Sequence, residues 1–221
     1  MPRFFTTTDA SPFSTPGFPH FDFRNWFVLN CRHGRALLET DRSGLIVWNP
    51  IIGNLQHLPN LLYKYNHNTG AVLCTVDGCN HVDCRGGGGT FRVVFAARTS
   101  EEHGVTWVSV YSLETGEWTT RTLIQLGPFI DSHNMMGPSL LAGDALYFII
   151  EEGRKILKYD LGGDALSVIK PPPLCVGNMV LMTAEGGGLG VAGVKDYRLH
   201  LCRGGLVSMD FWDERRAGSS G

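Results

Sequence analysis

Val47-Trp48-Asn49-Pro50-Ile51-Ile52-Gly53-Asn54-Leu55 is a β-rich run that ends in an aromatic and a small polar residue, passes a Gly-containing turn, and begins a new run. The same pattern returns at Val110-Tyr111-Ser112-Leu113-Glu114-Thr115-Gly116-Glu117-Trp118 and at Lys158-Tyr159-Asp160-Leu161-Gly162-Gly163-Asp164-Ala165-Leu166. Trp48, Tyr111 and Tyr159 lie 63 and then 48 positions apart. That is close to the roughly 40–50 residues that a four-stranded propeller blade consumes. A propeller is chiefly a surface for holding other molecules, so binding is the first function to test.

Outward from these hairpins, apolar residues come in short bursts rich in Val, Ile, Leu, Tyr and Phe, separated by Gly, Asp, Asn and Pro. Helical periodicity is almost absent, and this spacing belongs to an all-β chain. Four groups can be drawn. The first pairs Arg35 to Glu39 with Leu45 to Trp48 across Asp41 to Gly44, a turn cluster whose Gly can take a positive φ, and closes at Leu58-Pro59. The second pairs Phe91 to Ala97 with Val105 to Tyr111 and turns at Glu114 to Glu117 into Trp118 to Thr122. The third runs Ala145 to Ile150, turns at Glu151 to Arg154, continues Ile156 to Tyr159 and returns with Ala165 to Ile169. Pro171-Pro172-Pro173 then ends pairing, because proline has no N–H to donate. The fourth group holds Met179 to Thr183, Leu189 to Val194 and Tyr197 to Leu201. The expected fold is therefore all-β, a partial or small β-propeller of about four blade-like antiparallel sheets. Residues 1–25 read as an irregular N-terminal segment, 26–203 as the propeller-like domain, and 204–221, which lack alternation, as a disordered tail.

At 221 residues, one core can stand without disulfide or metal staples. Nineteen basic against 21 acidic residues leave a formal charge of −2, with no electrostatic footprint for nucleic acid or an anionic membrane. No apolar run approaches a membrane span, and Met1 to Phe13 has no segment of signal-peptide type. The chain reads as cytoplasmic or nuclear. Without a secretory signal, Cys31, Cys74, Cys79, Cys84, Cys175 and Cys202 read as reduced thiols.

Cys74, Cys79, His81 and Cys84 offer three thiols and an imidazole for tetrahedral zinc. Their spacing fits no paired knuckle, and His67 would serve as fourth ligand as well as His81. An irregular loop between the first and second sheets is the stronger reading, with a zinc module as the alternative. Gly86 to Gly89 lacks the Gly-Lys-Ser/Thr ending of a phosphate cradle. Ser139 lacks the second glycine of a nucleophile elbow, and neither Asp131 nor His133 can be placed beside it. Glu101-Glu102 and Glu151-Glu152 are adjacent residues that point apart and decorate solvated hairpins. Trp48, Trp107, Trp118, Tyr111 and Tyr159 could stack on a sugar, but aromatics recurring at equivalent places read as packing between sheets. No catalytic, cofactor or metal residue is assigned, and the chain is expected to be no enzyme.

Several ordered motifs together resemble a known family. They are Cys31 to Leu38, Leu45-Ile46-Val47-Trp48-Asn49-Pro50 with Gly53, Leu58-Pro59, and Pro138 to Tyr147. Val108 to Ser112 with Glu114 to Trp118, and Ile156 to Leu161, continue the series. From Phe4 to Leu201 the chain resembles the kelch-like, β-propeller-like associated domain of plant F-box proteins. The resemblance implies the substrate-recognition part of a ubiquitin ligase receptor. There, an N-terminal F-box docks on a Skp-type adaptor while the propeller captures the protein to be tagged. Met1 to Asn25 is too short for that helical module, so the F-box is expected to be missing and the chain truncated at both ends. The adaptor is then a partner only of a longer product. A ubiquitin-independent kelch-like or lectin-like scaffold is the alternative. The captured protein, the binding loops and the number of blades have no signature in the residues.

Overall fold

The computed structural model describes residues 26–40, 44–50, 52–76, 89–99, 104–127, 138–195, 197–204 and 212–216, with Gly204 and 212–216 given as backbone only. Regular structure is almost wholly strand, in four antiparallel sheets. The first contains β1 (Trp26–Arg32), β2 (Arg35–Thr40), β3 (Leu45–Asn49) and β4 (Asn54–His57) in chain order. The second contains β5 (His67–Cys74), β6 (Phe91–Thr99), β7 (Val105–Ser112) and β8 (Glu117–Trp118), with β9 (Thr122–Gln125) also on β7. The third is β10 (Ser139–Ala142), β11 (Ala145–Ile150), β12 (Lys155–Asp160) and β13 (Ala165–Ile169). The fourth is β14 (Met179–Thr183), β15 (Leu189–Lys195), β16 (Arg198–Gly204) and β17 (Trp212–Arg216). The chain is thus a β-propeller type of fold with four blade-like meanders.

The repeated hairpins share one register. Trp48 pairs with Leu55, Tyr111 with Trp118 and Tyr159 with Leu166, each seven positions on. The next pairs inward to the turn are Asn49 with Asn54, Ser112 with Glu117 and Asp160 with Ala165. The turn residue two places before the partner is left-handed each time: Gly53 at φ 70, Gly116 at φ 72 and Asp164 at φ 51. Glycine meets that demand without cost. In the third turn the aspartate is held instead by the Tyr159 hydroxyl, which donates to its carboxylate, while Asp160 Oδ1 accepts from the N–H groups of Gly162 and Gly163. Trp48, Tyr111 and Tyr159 are all buried, so the recurring aromatic is core.

Four expectations need correction. Gly44 is not among the left-handed glycines; its carbonyl accepts from Thr40 N at 2.9 Å and its N–H donates to Thr40 Oγ1. The stretch after Trp118 is not one strand, because the register against β7 changes by one residue between Trp118 and Thr122. The Thr119 side chain takes the bond that a ladder carbonyl would accept, from Val110 N at 3.0 Å. β1, β5 and β10 each precede the strand with which a group was expected to begin. The tail is not wholly without structure either, since Trp212–Arg216 forms β17 on β16. Backbone pairing satisfies the free edge of β16 without needing alternating apolar side chains.

The chain forms two compact units. In the first, Ala36, Leu38, Ile46 and Trp48 form a buried cluster on one face of the first sheet, with Trp26 and Leu55 against it. On the opposite face, Leu37 approaches Gly70 so closely that an added Cβ there would lie 2.6 Å from Leu37 Cδ2. Gln56 Nε2 donates to the Tyr111 hydroxyl at 3.3 Å, and Tyr111 packs on Trp118 with ring centroids 5.5 Å apart. In the second unit, Ala142, Ala145, Tyr147 and Ile156 of the third sheet pack with Met179, Leu189, Val191 and Cys202 of the fourth, around Cys175. Burial, and after it the Asp160 carboxylate, raises the Tyr147 phenol above its ordinary range.

Candidate functional site

Loops carry function where a rigid frame fixes them, and the second unit shows how one such loop is fixed. Arg98 closes β6 almost fully buried, an arrangement that needs paired charge and directed hydrogen bonds. Its Nη1 lies 3.4 Å from Glu151 Oε1 and its Nη2 donates to the Gly127 carbonyl at 2.9 Å. Glu151 Oε1 also meets Lys155 Nζ at 2.9 Å. These contacts secure the turn between β11 and β12. Its Glu151 and Glu152 sit at φ 51 and 53, a left-handed conformation that ordinarily disfavours side chains by about 1–2 kcal/mol. Two strained residues in succession persist only where the surroundings over-determine them. Glu152 and Arg154 are left half-exposed beyond the anchor, 3.8 Å apart. Gly104 belongs to the same arrangement. At φ +80, an added Cβ would stand 1.9 Å from the Gly127 carbonyl oxygen, so only glycine fits.

The first unit contains a second buried guanidinium. Arg35 Nη2 donates to the Gly89 carbonyl at 2.7 Å and its Cζ lies 5.3 Å from the Phe91 ring centroid. Gly89, from the glycine run, therefore serves as a hydrogen-bond acceptor. Trp118 Nε1 donates to the Pro59 carbonyl at 2.8 Å, and Arg121 stacks over Tyr63 at 3.6 Å.

The candidate residues taken from sequence do not assemble into a reactive centre. Cys79, His81 and Cys84 lie outside the described residues, as do Gly86 to Gly88, Glu101, Glu102, Asp131 and His133. Cys74 ends β5 as a buried free thiol whose Sγ accepts from Val76 N at 3.4 Å. Cys175 and Cys202 are buried free thiols and Cys31 an exposed one. Among the described residues, no three His, Cys, Asp or Glu side chains stand close enough to hold a metal. Ser139 is the first residue of β10. Glu151 and Glu152 do point apart, but Glu151 is an anchoring counter-ion, not a solvated decoration. Trp107, Trp48, Tyr111 and Tyr159 are buried, and Trp107 meets Tyr65 edge-on at 6.3 Å. Sequence reasoning missed Arg98 and Arg35 altogether. The one available signal was an arginine directly after the apolar run Val93 to Ala97.

No helix among the described residues is long and apolar enough to cross a membrane. No curated protein matches the chain. A family model described as F-box protein AT5G49610-like, beta-propeller matches residues 27–210, a span that takes in β2 to β16. With that span covering most of the 221 residues, the chain belongs to the AT5G49610-like beta-propeller family of F-box proteins.

Proposed function

We propose that the chain is a noncatalytic protein-binding module that serves as the substrate-recognition part of an F-box ubiquitin ligase receptor. The family match over residues 27–210 carries the reading. The anchored turn of the second unit supports it, since a receptor needs loops held still on a rigid frame and the Arg98–Glu151–Lys155 contacts do this. Burial of Trp48, Trp107, Tyr111 and Tyr159 speaks against the lectin-like alternative, which needs exposed rings. In this account residues 26–203 form the binding domain and 1–25 an irregular lead. The F-box of a longer product meets a Skp-type adaptor in cytoplasm or nucleus, and the propeller holds the protein to be tagged.

Affinity capture through a longer, F-box-containing product tests this. Recovery of adaptor and cullin, with ubiquitin transferred to a protein that the propeller binds, is the expected result. Retention on glycans without adaptor recovery would favour the ubiquitin-independent scaffold. Metal analysis of the purified chain should find below about one-tenth equivalent of zinc.

A further inference from the structure

One hairpin of the first sheet brings two cations together. β1 ends at Arg32 and β2 begins at Arg35, with His33 and Gly34 between them at φ 55 and 68, the left-handed pair that a two-residue hairpin turn requires. Arg32 and Arg35 are directly opposed in the ladder. Their side chains therefore leave the same face of the sheet, and like charges in that position destabilise it. This is the face that packs on the second sheet: Asn30, opposite Leu37, accepts from Val72 N at 3.4 Å through its Oδ1. The carboxylate of β2 on this face, Glu39, follows Arg35 at a distance of roughly 13 Å along the strand.

Among the described residues neither cation has a counter-ion. Arg35 is only 7% exposed. Its Nη2 donates to the Gly89 carbonyl and its guanidinium stands over the Phe91 ring, but its buried Nη1 has no acceptor. Arg32 is half-buried and makes no hydrogen bond or ion pair among the described residues. Burial pushes its guanidinium below the ordinary range. A buried charge left without a partner is costly, and an orphaned donor of this kind points to an ion or water that completes it.

We propose that Arg32 and Arg35 together bind a phosphate dianion, free or as the monoester of a small molecule. One oxygen accepts from Arg35 Nη1, and the Arg32 side chain, held by no bond, turns onto the others. Charge selects this ligand. A phosphate group carries about −1.5 to −2 at neutral pH with three acceptor oxygens, which matches two guanidiniums. A carboxylate carries one charge in one plane and is matched by the fork of a single arginine. Depth selects a small ligand, because Arg35 lies almost wholly inside and only Arg32 is partly open. Phosphate binding neither requires nor excludes the capture of a protein elsewhere on the chain.

Titration of the full chain with inorganic phosphate and with glycerol phosphate, at constant ionic strength set by sodium chloride, tests it. Saturable binding is expected, with a melting temperature raised by phosphate and unmoved by acetate; the tighter of the two probes names the source. Arg32→Gln should weaken binding at least about tenfold. Without phosphate it should melt no lower than the wild type, since it removes one of two opposed charges, and this separates lost binding from lost folding. Arg35→Lys keeps a cation without the planar fork and should weaken binding by at least about tenfold too. Arg92→Gln, which changes an exposed arginine next to Phe91 on β6, should leave the affinity unchanged. No saturation up to about 10 mM of either probe, an equal response to acetate, or unchanged affinity in Arg32→Gln would overturn the proposal. So would binding of phosphoserine peptides without binding of either probe, which would place the anion on a partner protein. Phosphate bound only by Asp77→Asn/Asp83→Asn would overturn it as well, since a carboxylate of the chain would then hold the place; both aspartates lie outside the described residues.

Discussion

The turn between β11 and β12 and the turn between β15 and β16 both place bulky residues in left-handed backbone, yet they are held in opposite ways. Glu151 and Glu152 are strained but tied down, because Glu151 is shared by buried Arg98 and by Lys155. Tyr197 is strained and fully exposed, flanked by Lys195 and Arg198 facing each other across the ladder. Strain with internal compensation builds a frame. Strain without such ties stays unrelieved at the tip of the second hairpin.

Removing the anchor should have the largest effect. Arg98→Ala deprives Glu151 and the Gly127 carbonyl of their buried partner; urea unfolding should show a loss of about 3 kcal/mol, since breaking a buried pair strands the remaining charge. A loss under about 0.5 kcal/mol would mean that the first turn is no better anchored than the second. Gly193→Ala tests how tightly β15 lies against the core. Its Cβ would stand 2.8–2.9 Å from the Cys175 side chain and Cα, so a loss of about 2 kcal/mol is expected from overpacking. An unchanged midpoint would show slack between β15 and Cys175.

Relief of strain gives smaller effects of opposite sign. Glu152→Gly and Tyr197→Gly should each stabilise by up to about 1 kcal/mol, because glycine enters the left-handed region freely. The smallest effect concerns His67. Burial, and after it the Arg98 charge, holds its imidazole below the ordinary value of 6.5. A base with a depressed folded pKa contributes stability that is full above its unfolded value and lost as pH falls through the folded one. Melting temperature should therefore fall between about pH 7 and about pH 5, and fall less in His67→Gln. Equal falls in both proteins would remove His67 from the account.

The aromatic hairpins were legible because their chemistry is local. An aromatic, a small polar residue and a glycine at fixed offsets define a register, and Trp48–Leu55 and Tyr111–Trp118 realise it. The first strand of each of the first three sheets was not legible, for separate reasons. β1 carries a bulge between Val28 and Asn30 that breaks alternation. β5 starts with the polar His67-Asn68-Thr69 and then buries both faces, so it shows no period of two. β10 is only four residues long. β17 reads Trp-Asp-Glu-Arg-Arg, a strand joined by backbone pairing to an edge formed elsewhere. For the candidate sites, pairing across distance was the obstacle. Arg98 and Glu151 are 53 positions apart, and no local pattern announces that a strand-end arginine will meet a turn carboxylate. The apolar outer face of the fourth sheet was present in the residues Val180, Met182, Val194 and Leu199, but their common face becomes visible only once the register is known.

Hydrogen exchange on the full chain tests the contrast between the two hairpins most directly. The account predicts slower exchange at Glu151 to Arg154, held by Arg98 and Lys155, than at Tyr197 to Leu199. Faster exchange at Glu151 to Arg154 than at Tyr197 to Leu199 would contradict it.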